Sequence, residues 1–322
     1  MSASGTQDIR SRYFHMAKSD ENQPIPTLLI GALIVGAFAV LVRTECRRPL
    51  RGARESKTTR NVRNLAMAGL SAATLSLLEK PVVGPISRFV TEHRIGLLPT
   101  LGLPKWVEMP LSVLMMDYTL YCWHVLIHRV PALWRFHAVH HVDLDMDAST
   151  ALRFHFGEMA MSVPYRAAQV AMIGVSPRAL SIWQALLFLS VMFHHSNVRL
   201  PRSFERWLVR FIVTPRMHEI HHSIIREETN SNWSSGLTVW DRLHGTLRLD
   251  LPETAIDIGV PAYRDPREVS IVNLVEMPFR EQRPSWEFPD GTRPDRTIHP
   301  ASRNPLGAFE PQVLSTRSRR SA

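Results

Sequence analysis

Eight histidines fall into three short motifs whose spacing suits a metal site. In "HVLIH" the two histidines are four residues apart, and in "HAVHH" and "HEIHH" three histidines occupy positions i, i+3 and i+4. Residues at these spacings share one face of a helix, so each motif can direct its imidazoles toward a common point. Eight candidate ligands exceed the four of one tetrahedral zinc, which indicates two metals or one crowded metal. They are His124, His128, His137, His140, His141, His218, His221 and His222.

The third motif also admits a different interpretation. His218, Glu219 and His222 fit H-E-x-x-H, the zinc-protease pattern in which the glutamate is the general base. A membrane zinc metalloprotease would use this motif and leave the other two without a function. A non-catalytic membrane protein that binds a metal or haem is a second alternative, which requires only about two to four histidines. Neutral imidazole suits Fe, Zn, Cu and Ni, whereas Mg and Ca prefer oxygen ligands.

Composition narrows the class of protein. The chain has 322 residues and a formal net charge of +9, and its Arg and Lys residues cluster beside apolar runs and in the two tails. This distribution fits membrane topology better than nucleic-acid binding, so no nucleic-acid partner is predicted. Two cysteines, Cys46 and Cys122, are too few for a disulfide framework or a Cys-based zinc ribbon, and they fit a reducing compartment.

Five apolar segments predict an all-α protein, a multi-pass membrane helical bundle of about four to five spans. The first segment is uncharged and long enough to cross a bilayer core. The fourth contains Arg166, a charge that must pair or reach the interface if it lies in lipid. A soluble helical protein with a single anchor is the alternative. The segments are Ile25–Val42, Val62–Leu78, Trp106–Ile127, Met159–Val175 and Ala179–Phe193.

The loop between the first two segments sets the orientation. Its sequence, "RTECRRPLRGARESKTTRNVR", contains eight Arg or Lys and two Glu residues. By the positive-inside rule this loop is cytoplasmic. Alternation of the spans then brings His124, His194 and His195 to the cytoplasmic face, together with everything after residue 196. Charge and histidine spacing therefore predict one metal site at the cytoplasmic surface of the membrane.

The apolar segments also divide the chain into four regions. Residues 1–24 are predicted to be a polar N-terminal tail, residues 25–105 the N-terminal membrane helices with their loops, and residues 106–250 the histidine-rich catalytic domain. Ten of the 23 prolines fall in residues 251–322, among charged residues. This region is therefore predicted to be an extended and partly disordered cytosolic tail.

Taken in order and interleaved with apolar helices, HxxxH, HxxHH and a distant HxxHH resemble the fatty acid hydroxylase/sterol desaturase superfamily of integral-membrane di-iron oxygenases. The resemblance covers roughly residues 106–247 and extends to "LWRFHAVHHVDLDMDASTALRFHFGE", "FHHSNVRLP" and "NSNWSSGLTVWDRLHGT". The first stretch is similar to the family's bacterial branch, which often reads R-F-H-P-x-E where this chain has Phe156. Trp233, Ser234 and His244 also depart from the usual family pattern, which concerns the substrate channel and not the metal site.

The resemblance implies two iron ions, with zinc a substitute in purified protein, held by most of the eight motif histidines. It also suggests His155 and His195 as further ligands, or as residues behind the ligands. Asp117 lies seven residues before His124, where its carboxylate could orient an imidazole or pair with Arg166 or a tyrosine. Asp241 is a candidate acceptor behind the ligands or a helix cap. We therefore include Asp117 and Asp241 among the candidate catalytic residues.

The implied reaction is O2-dependent hydroxylation or desaturation of a C–H bond in a sterol, fatty acyl, sphingoid or related lipid. The chain contains no dinucleotide fingerprint, haem motif or Cys-ligated iron–sulfur pattern. Electrons must therefore come from outside, from a ferredoxin or a b-type cytochrome with its reductase. The expected location is a bacterial inner membrane, with the histidine motifs and the C-terminus in the cytoplasm.

Overall fold

The computed structural model describes residues 23–251 and 256–295. These residues form helices without a β-strand, and only three isolated bridges occur among them. The all-α prediction is therefore confirmed. The helices are α1 Thr27–Arg47, α2 Lys57–Thr74, α3 Lys80–His93, α4 Lys105–Arg129, α5 Pro131–His141, α6 Phe156–Ile173, α7 Pro177–His195, α8 Arg202–Leu208, α9 Pro215–His221, α10 Val239–Leu243 and α11 Ile271–Glu276.

Shorter elements connect these helices. A π-helical turn, Leu75–Glu79, joins α2 to α3. Single-turn α-helices are Leu97–Thr100 and Arg226–Thr229, and 3-10 turns are Thr150–Leu152, Pro266–Val269 and Met277–Phe279. In the assembled bundle α3 packs on α6, α4 packs on α5, α6 and α7, and both α1 and α9 pack on α7.

A one-residue connection folds α4 against α5. α4 ends at Arg129 and α5 begins at Pro131, so only Val130 lies between them. Val130 has the extended conformation (φ −96°, ψ 112°) that is favoured before proline. Pro131 occupies the first helical position. A backbone N–H at this position has no partner within the helix, so its absence in proline costs no hydrogen bond. The C-terminal turn of α4 and the whole of α5 therefore lie side by side, which brings the first two histidine motifs together.

The α6–α7 hairpin returns the chain to the same end of the bundle. α6 ends at Gly174 with a φ of 83°, and the Ser176 side chain accepts a hydrogen bond from the N–H of Ala179 at the start of α7. Gly96 packs against Gly174, and a Cβ on Gly96 would lie 2.4 Å from Gly174 N. A Cβ on Gly174 would lie 2.4 Å from Pro99 Cδ, so neither position admits a larger residue. The core beneath this hairpin consists of Val83, Val90, Leu98, Met116, Val170, Ile173, Val175, Ala179, Leu180 and Trp183.

Among the described residues, one helix, α1, is long and apolar enough to cross a membrane. It overlaps the first predicted span, and its apolar side chains are exposed, Leu28 by 90%. The other four predicted spans coincide with helices, but those helices carry polar side chains such as Arg166 and Gln184 that line the interior. The multi-pass arrangement is therefore still a prediction.

The structure corrects the predicted C-terminal tail. Residues 256–295 do not extend away from the bundle, because their apolar side chains pack on α5 and α2. Trp134 Nε1 on α5 also donates a hydrogen bond to Ser285 Oγ at 3.0 Å. Residues 296–322, like residues 1–22 of the N-terminal tail, lie outside the described ranges. The shared core contains Met67, Ala138, Val139, Val142, Val260, Ala262, Tyr263, Val269, Leu274 and Met277.

Candidate metal centre

The structure gathers nine histidines into two groups that share no residue. Within each group the potential ligand nitrogens all lie within 4.8 Å of one another. Neighbouring histidines in the two HxxHH motifs belong to different groups, because successive helical residues point about 100° apart. The first group, from α4, α5 and α9, consists of His124, His128, His137, His141 and His221. The second group, from α5, α7, α9 and the residue after α9, consists of His140, His195, His218 and His222.

Distances in the second group fit a shared ion. The Nε2 atom of His195 lies 2.9 Å from Nε2 of His140 and 3.0 Å from Nε2 of His218. Two imidazole nitrogens that bind one metal at about 2.1 Å, at right angles, are separated by about 3 Å. The spacing is therefore that of adjacent ligands on a common ion.

The first group presents buried nitrogens that no protein atom satisfies. A buried polar atom without a partner is costly, and native proteins rarely keep one without a reason. A metal ion would satisfy these nitrogens together, so the donor set fits a metal in this group as well. The unpartnered atoms are Nε2 of His128, His137, His141 and His221.

Hydrogen bonds to the opposite ring nitrogen orient four of the ligands. In each case an Nδ1–H donates to a carbonyl or carboxylate oxygen, which fixes the tautomer and leaves Nε2 free for a metal. Three acceptors are backbone carbonyls and one is a side chain. The pairs are His124 with Trp233 O (2.7 Å), His137 with Glu158 Oε1 (3.0 Å), His195 with Val191 O (2.7 Å) and His221 with Ser231 O (2.9 Å).

Burial keeps the imidazoles neutral. Desolvation, followed by repulsion from neighbouring imidazoles, lowers the pKa of His140, His141, His218 and His222 well below the usual value. Desolvation also lowers the pKa of His221 to about 3, against the opposing hydrogen bond to Ser231. Because metals bind neutral imidazole, these histidines are ready to act as ligands at neutral pH.

His155 does not join either group. Its Nδ1 accepts a hydrogen bond from Gly157 N at 2.9 Å and caps α6, while its Nε2 contacts Val275 O at 3.1 Å. Both nitrogens are thus occupied, so the prediction of His155 as a ligand is corrected. His194 also stays outside the two groups, although its ring lies 4.1 Å from that of His218. Of the two alternatives in "FHH", the structure places His195 in the second group.

Asp117 and Asp241 bind backbone and indole N–H groups and contact no histidine. Asp117 Oδ2 accepts from Trp240 Nε1 at 2.7 Å and from Leu237 N at 3.1 Å. Asp241 accepts from Trp233 N at 2.8 Å. Both carboxylates therefore hold the 233–240 loop. Asp241 acts on the site through Trp233, whose carbonyl orients His124.

Glu219 is turned to a cation rather than to the histidines. Its carboxylate forms a short hydrogen-bonded ion pair with Arg51, and its side chain is only 2% exposed. Arg51 also donates to Met146 O at 3.1 Å. Burial raises the pKa of Glu219, and the Arg51 charge opposes that shift.

A cavity of about 390 Å³ leads to both histidine groups. At one end it is lined by His124 and His137 of the first group and His140, His195 and His218 of the second. Most of its wall is apolar, from residues such as Leu120, Ile127, Leu187 and Phe188. Its size is in the range of small-molecule sites. An apolar chain inside it would lie beside both groups.

Comparison with known proteins agrees with this arrangement. Residues 109–246, which include all nine grouped histidines, match the family described as fatty acid hydroxylase. This segment of the chain belongs to the fatty acid hydroxylase superfamily.

Curated relatives of this chain are similar to it over part of their length. Ornithine lipid hydroxylase OlsE of Rhizobium tropici is 29% identical over 49% of this chain and 46% of the relative. Cholesterol 25-hydroxylase of Mus musculus is 31% identical over 52% of this chain and 55% of the relative. Alkylglycerol monooxygenase of Homo sapiens is 26% identical over 58% of this chain and 41% of the relative. The chain thus spans about half the length of these relatives, and no solved structure matches it.

Charged residues that support the site were missed by the sequence analysis, and two of them, Arg60 and Arg63 on α2, lie outside the fatty acid hydroxylase match. Asp143, fully buried after α5, binds Arg60 at 2.9 Å and Arg153 at 3.0 Å, and Arg63 lies 3.4 Å away. Burial raises the pKa of Asp143, but these guanidinium groups outweigh it and hold the pKa well below its usual range. The α2 arginines thereby fix the loop between His141 and α6.

Two further residues at the site had a signal in the sequence. Glu158 ends the stretch "RFHFGE", which was not considered for a carboxylate partner, yet its carboxylate contacts His137. Arg51 lies in the basic loop that was interpreted only as a topology signal. The structure gives both side chains specific partners at the metal centre.

Proposed function

We propose that the protein is a membrane-bound non-haem di-iron oxygenase that hydroxylates or desaturates a C–H bond of a lipid, using O2 and external electrons. The observation that carries the proposal is the convergence of two histidine groups on one largely apolar cavity. Imidazole is a good ligand for iron, and two separate groups provide for two ions. The activities in the names of the relatives, hydroxylation of an ornithine lipid and of cholesterol among them, agree with a lipid substrate.

The protein's own contribution is binding, orientation and exclusion of water. Two irons held by the nine histidines would supply the activation of O2 that oxidation of an unactivated C–H bond requires. The carbonyls behind His124, His195 and His221, and the Glu158 carboxylate behind His137, keep the imidazoles in position. The apolar wall of the cavity excludes water and places the lipid chain against the histidines.

The protease alternative has little support in the geometry. A general base must be free to approach the metal-bound water, whereas the Glu219 carboxylate is buried in an ion pair with Arg51. His218 and His222 also share their group with His140 and His195, so the pair does not form a separate site. A haem is disfavoured because imidazole rings stand too close for a porphyrin between them; the His141 and His222 centroids are 4.2 Å apart.

The proposal includes a location and a partner. The basic loop after α1 and the exposed apolar surface of α1 support a protein in a bacterial inner membrane, with the site and C-terminus toward the cytoplasm. Further spans are proposed for α2, α4, α6 and α7, which gives the predicted total of about four to five. The electron donor is proposed to be a ferredoxin or a b-type cytochrome with its reductase, because the sequence contains no recognisable redox cofactor motif.

Metal analysis and lipid mass spectrometry test this function. Protein purified in detergent and loaded with Fe(II) should contain two irons per chain and show no haem absorption band. Cells that express it should contain a lipid that has gained one oxygen atom or lost two hydrogen atoms, and His140→Ala should abolish that product. One zinc per chain that remains after removal of His124 and His137 would instead support a protease.

A further inference from the structure

Arg166, on α6, is a buried charge that forms no direct hydrogen bond or salt bridge with the described residues, although Glu79 interacts with it electrostatically. Its side chain lines the cavity and the residue is only 9% exposed. Among the residues that the structure describes, none forms a hydrogen bond or salt bridge with its guanidinium, and its Nε is buried and unpartnered. The guanidinium carbon lies 4.1 Å from the centre of the Trp183 ring. Stacking on Trp183 is thus the contact that holds the group in place.

A guanidinium in this position needs oxygen acceptors. Stacking on an aromatic ring contributes less than a charge loses when it leaves water, and it satisfies none of the five N–H donors. Native proteins pair such a charge or expose it to a ligand. Since Arg166 borders the cavity and forms no salt bridge with a described carboxylate, a molecule that fills the cavity is positioned to supply an acceptor.

Arg166 lies away from the histidine end. Glu158 and Arg166 are on the same helix, and Glu158 contacts His137 of the first group. Eight residues of α-helix correspond to about 12 Å along the axis. A lipid that touches both Arg166 and the histidine groups must therefore place its polar atom and its oxidised carbon at opposite ends of the cavity.

The charge of Glu79, which also lines the cavity, indicates which kind of oxygen acceptor Arg166 would bind. Glu79 lines the same space and accepts a hydrogen bond from Gln184 Nε2 at 3.1 Å. Its negative charge would repel a second anion, and it offsets the positive charge of Arg166 without a direct contact. A neutral acceptor oxygen therefore fits better than a free carboxylate.

We propose that Arg166 binds the carbonyl oxygen of an ester- or amide-linked acyl chain and so fixes which carbon reaches the histidine groups. The binding part of this proposal stands on the cavity alone, whereas the choice of carbon rests on the proposed function. An acyl chain anchored in this way is oxidised at a constant distance from its carbonyl, whatever its total length. Arg166 would then be a specificity-determining residue.

Binding is tested with metal-free protein in detergent, so that it does not depend on oxygenase activity. Three probes with hydrocarbon chains of similar length differ in their polar group. Methyl palmitate has an ester carbonyl, palmitic acid has a carboxylate, and hexadecane has no acceptor. The dissociation constant of each is taken from the increase of Tm with ligand concentration. Wild type should bind methyl palmitate most tightly. Arg166→Met should weaken that binding about 10- to 100-fold, to the level of hexadecane, because a charge-assisted hydrogen bond is lost.

Three variants complete the binding test. Arg166→Lys should bind methyl palmitate with intermediate affinity, which also shows that the position tolerates substitution. Arg88→Met removes an exposed arginine of α3 outside the cavity and should change nothing. Glu79→Gln should improve binding of palmitic acid. Equal binding of methyl palmitate by wild type and Arg166→Met, or tighter wild-type binding of palmitic acid than of its ester, would overturn the assignment.

Product analysis tests the choice of carbon. With acyl esters of increasing chain length, wild type should oxidise the same position counted from the carbonyl, and Arg166→Met should give a mixture of positions. A position that shifts with chain length contradicts the anchor. Absence of any oxidised product, together with Arg166-dependent binding of the ester, would reject the oxygenase function while leaving the binding site in place.

Discussion

Arg51, in the loop after α1, is hydrogen-bonded to the carboxylate of Glu219 on α9. The two residues are 168 positions apart in sequence. Glu219 stands between His218 and His221, so the contact ties a loop outside the fatty acid hydroxylase match to the helix that supplies ligands to both metal groups. The glutamate of the protease-like motif thus stabilises the site by attaching α9 to the loop after α1.

The ion pair predicts that Glu219 matters for stability more than for chemistry. Glu219→Ala leaves the Arg51 guanidinium largely buried without its carboxylate, and loss of one member of such a pair costs about 3 kcal/mol or more of the free energy of unfolding. We expect a lower Tm with two metals still bound. The double variant Arg51→Met/Glu219→Met should recover most of the loss, because two apolar side chains replace the pair. A Glu219→Ala protein that is fully stable and inactive would favour the protease.

The two groups predict separable losses of metal. His128→Ala removes a ligand of the first group and His222→Ala removes one of the second. Each variant should therefore bind about one iron less than wild type, as measured by elemental analysis of purified protein. His93→Ala, an exposed histidine of α3, is the control and should keep the full content. Loss of both metals in either single variant would mean that the nine histidines form one coupled centre.

The helix-face argument predicted that the motif histidines cluster, because it depends only on local geometry. Spacings of three and four residues placed each motif on one face, and all eight motif histidines entered the two groups. Which histidine joins which group could not be predicted. That assignment depends on how α5, α7 and α9 cross, as the division of His140 and His141 between groups shows.

Residues behind the ligands were poorly predicted, for the same reason. Their partners are distant in sequence, as in Arg51 with Glu219, or are backbone carbonyls that no residue type reveals. His155 was misassigned because a histidine before a helix can equally serve as its N-cap. The C-terminal residues were taken for a tail because proline and charge dominate their composition. Val260, Val269 and Leu274 are nevertheless enough to bury this segment against α5.

Glu158 is predicted to tune the first metal group. Its carboxylate accepts from His137 Nδ1 at 3.0 Å, and such partners typically change metal affinity by about 10- to 100-fold. Glu158→Gln keeps an acceptor oxygen but loses the charge, so iron in the first group should be removed by a chelator at a lower concentration. Glu276→Gln, at an exposed carboxylate on α11, should behave as wild type. Unchanged chelator sensitivity in Glu158→Gln would show that the contact does not influence the metal.

Asp241 is predicted to act through the Trp233 backbone. Its oxygens accept from Trp233 N at 2.8 Å and Ser234 N at 2.9 Å, and Asp241→Asn turns an amide NH2 toward one of these donors. Loss of a buried hydrogen bond costs about 1–3 kcal/mol, so Tm should fall. Because Trp233 O orients His124, metal affinity of the first group should fall with it. Asp250→Asn changes a carboxylate that is 73% exposed, and it should alter neither Tm nor the metal affinity of the first group. A lower Tm with unaltered metal binding would show that the hydrogen bonds of Asp241 stabilise the loop without influencing the metal site.

Removal of the metals should make the protein sensitive to acid. Burial lowers the pKa of His218 and His222, and that of His221 to about 3, whereas histidine in an unfolded chain titrates near 6.5. As the pH falls below about 6.5, the unfolded metal-free chain binds protons that the folded chain does not. The free energy of unfolding therefore decreases until the pH reaches the folded-state values. Tm of the chelated protein, measured from about pH 8 to about pH 5, should therefore fall as the pH decreases. Bound iron should raise Tm by a nearly constant amount over this range, because neither folded form binds protons there, so the chelated protein should unfold at a higher pH. A Tm of the chelated protein that stays constant over this range would mean that these imidazoles keep ordinary pKa values in the folded chain.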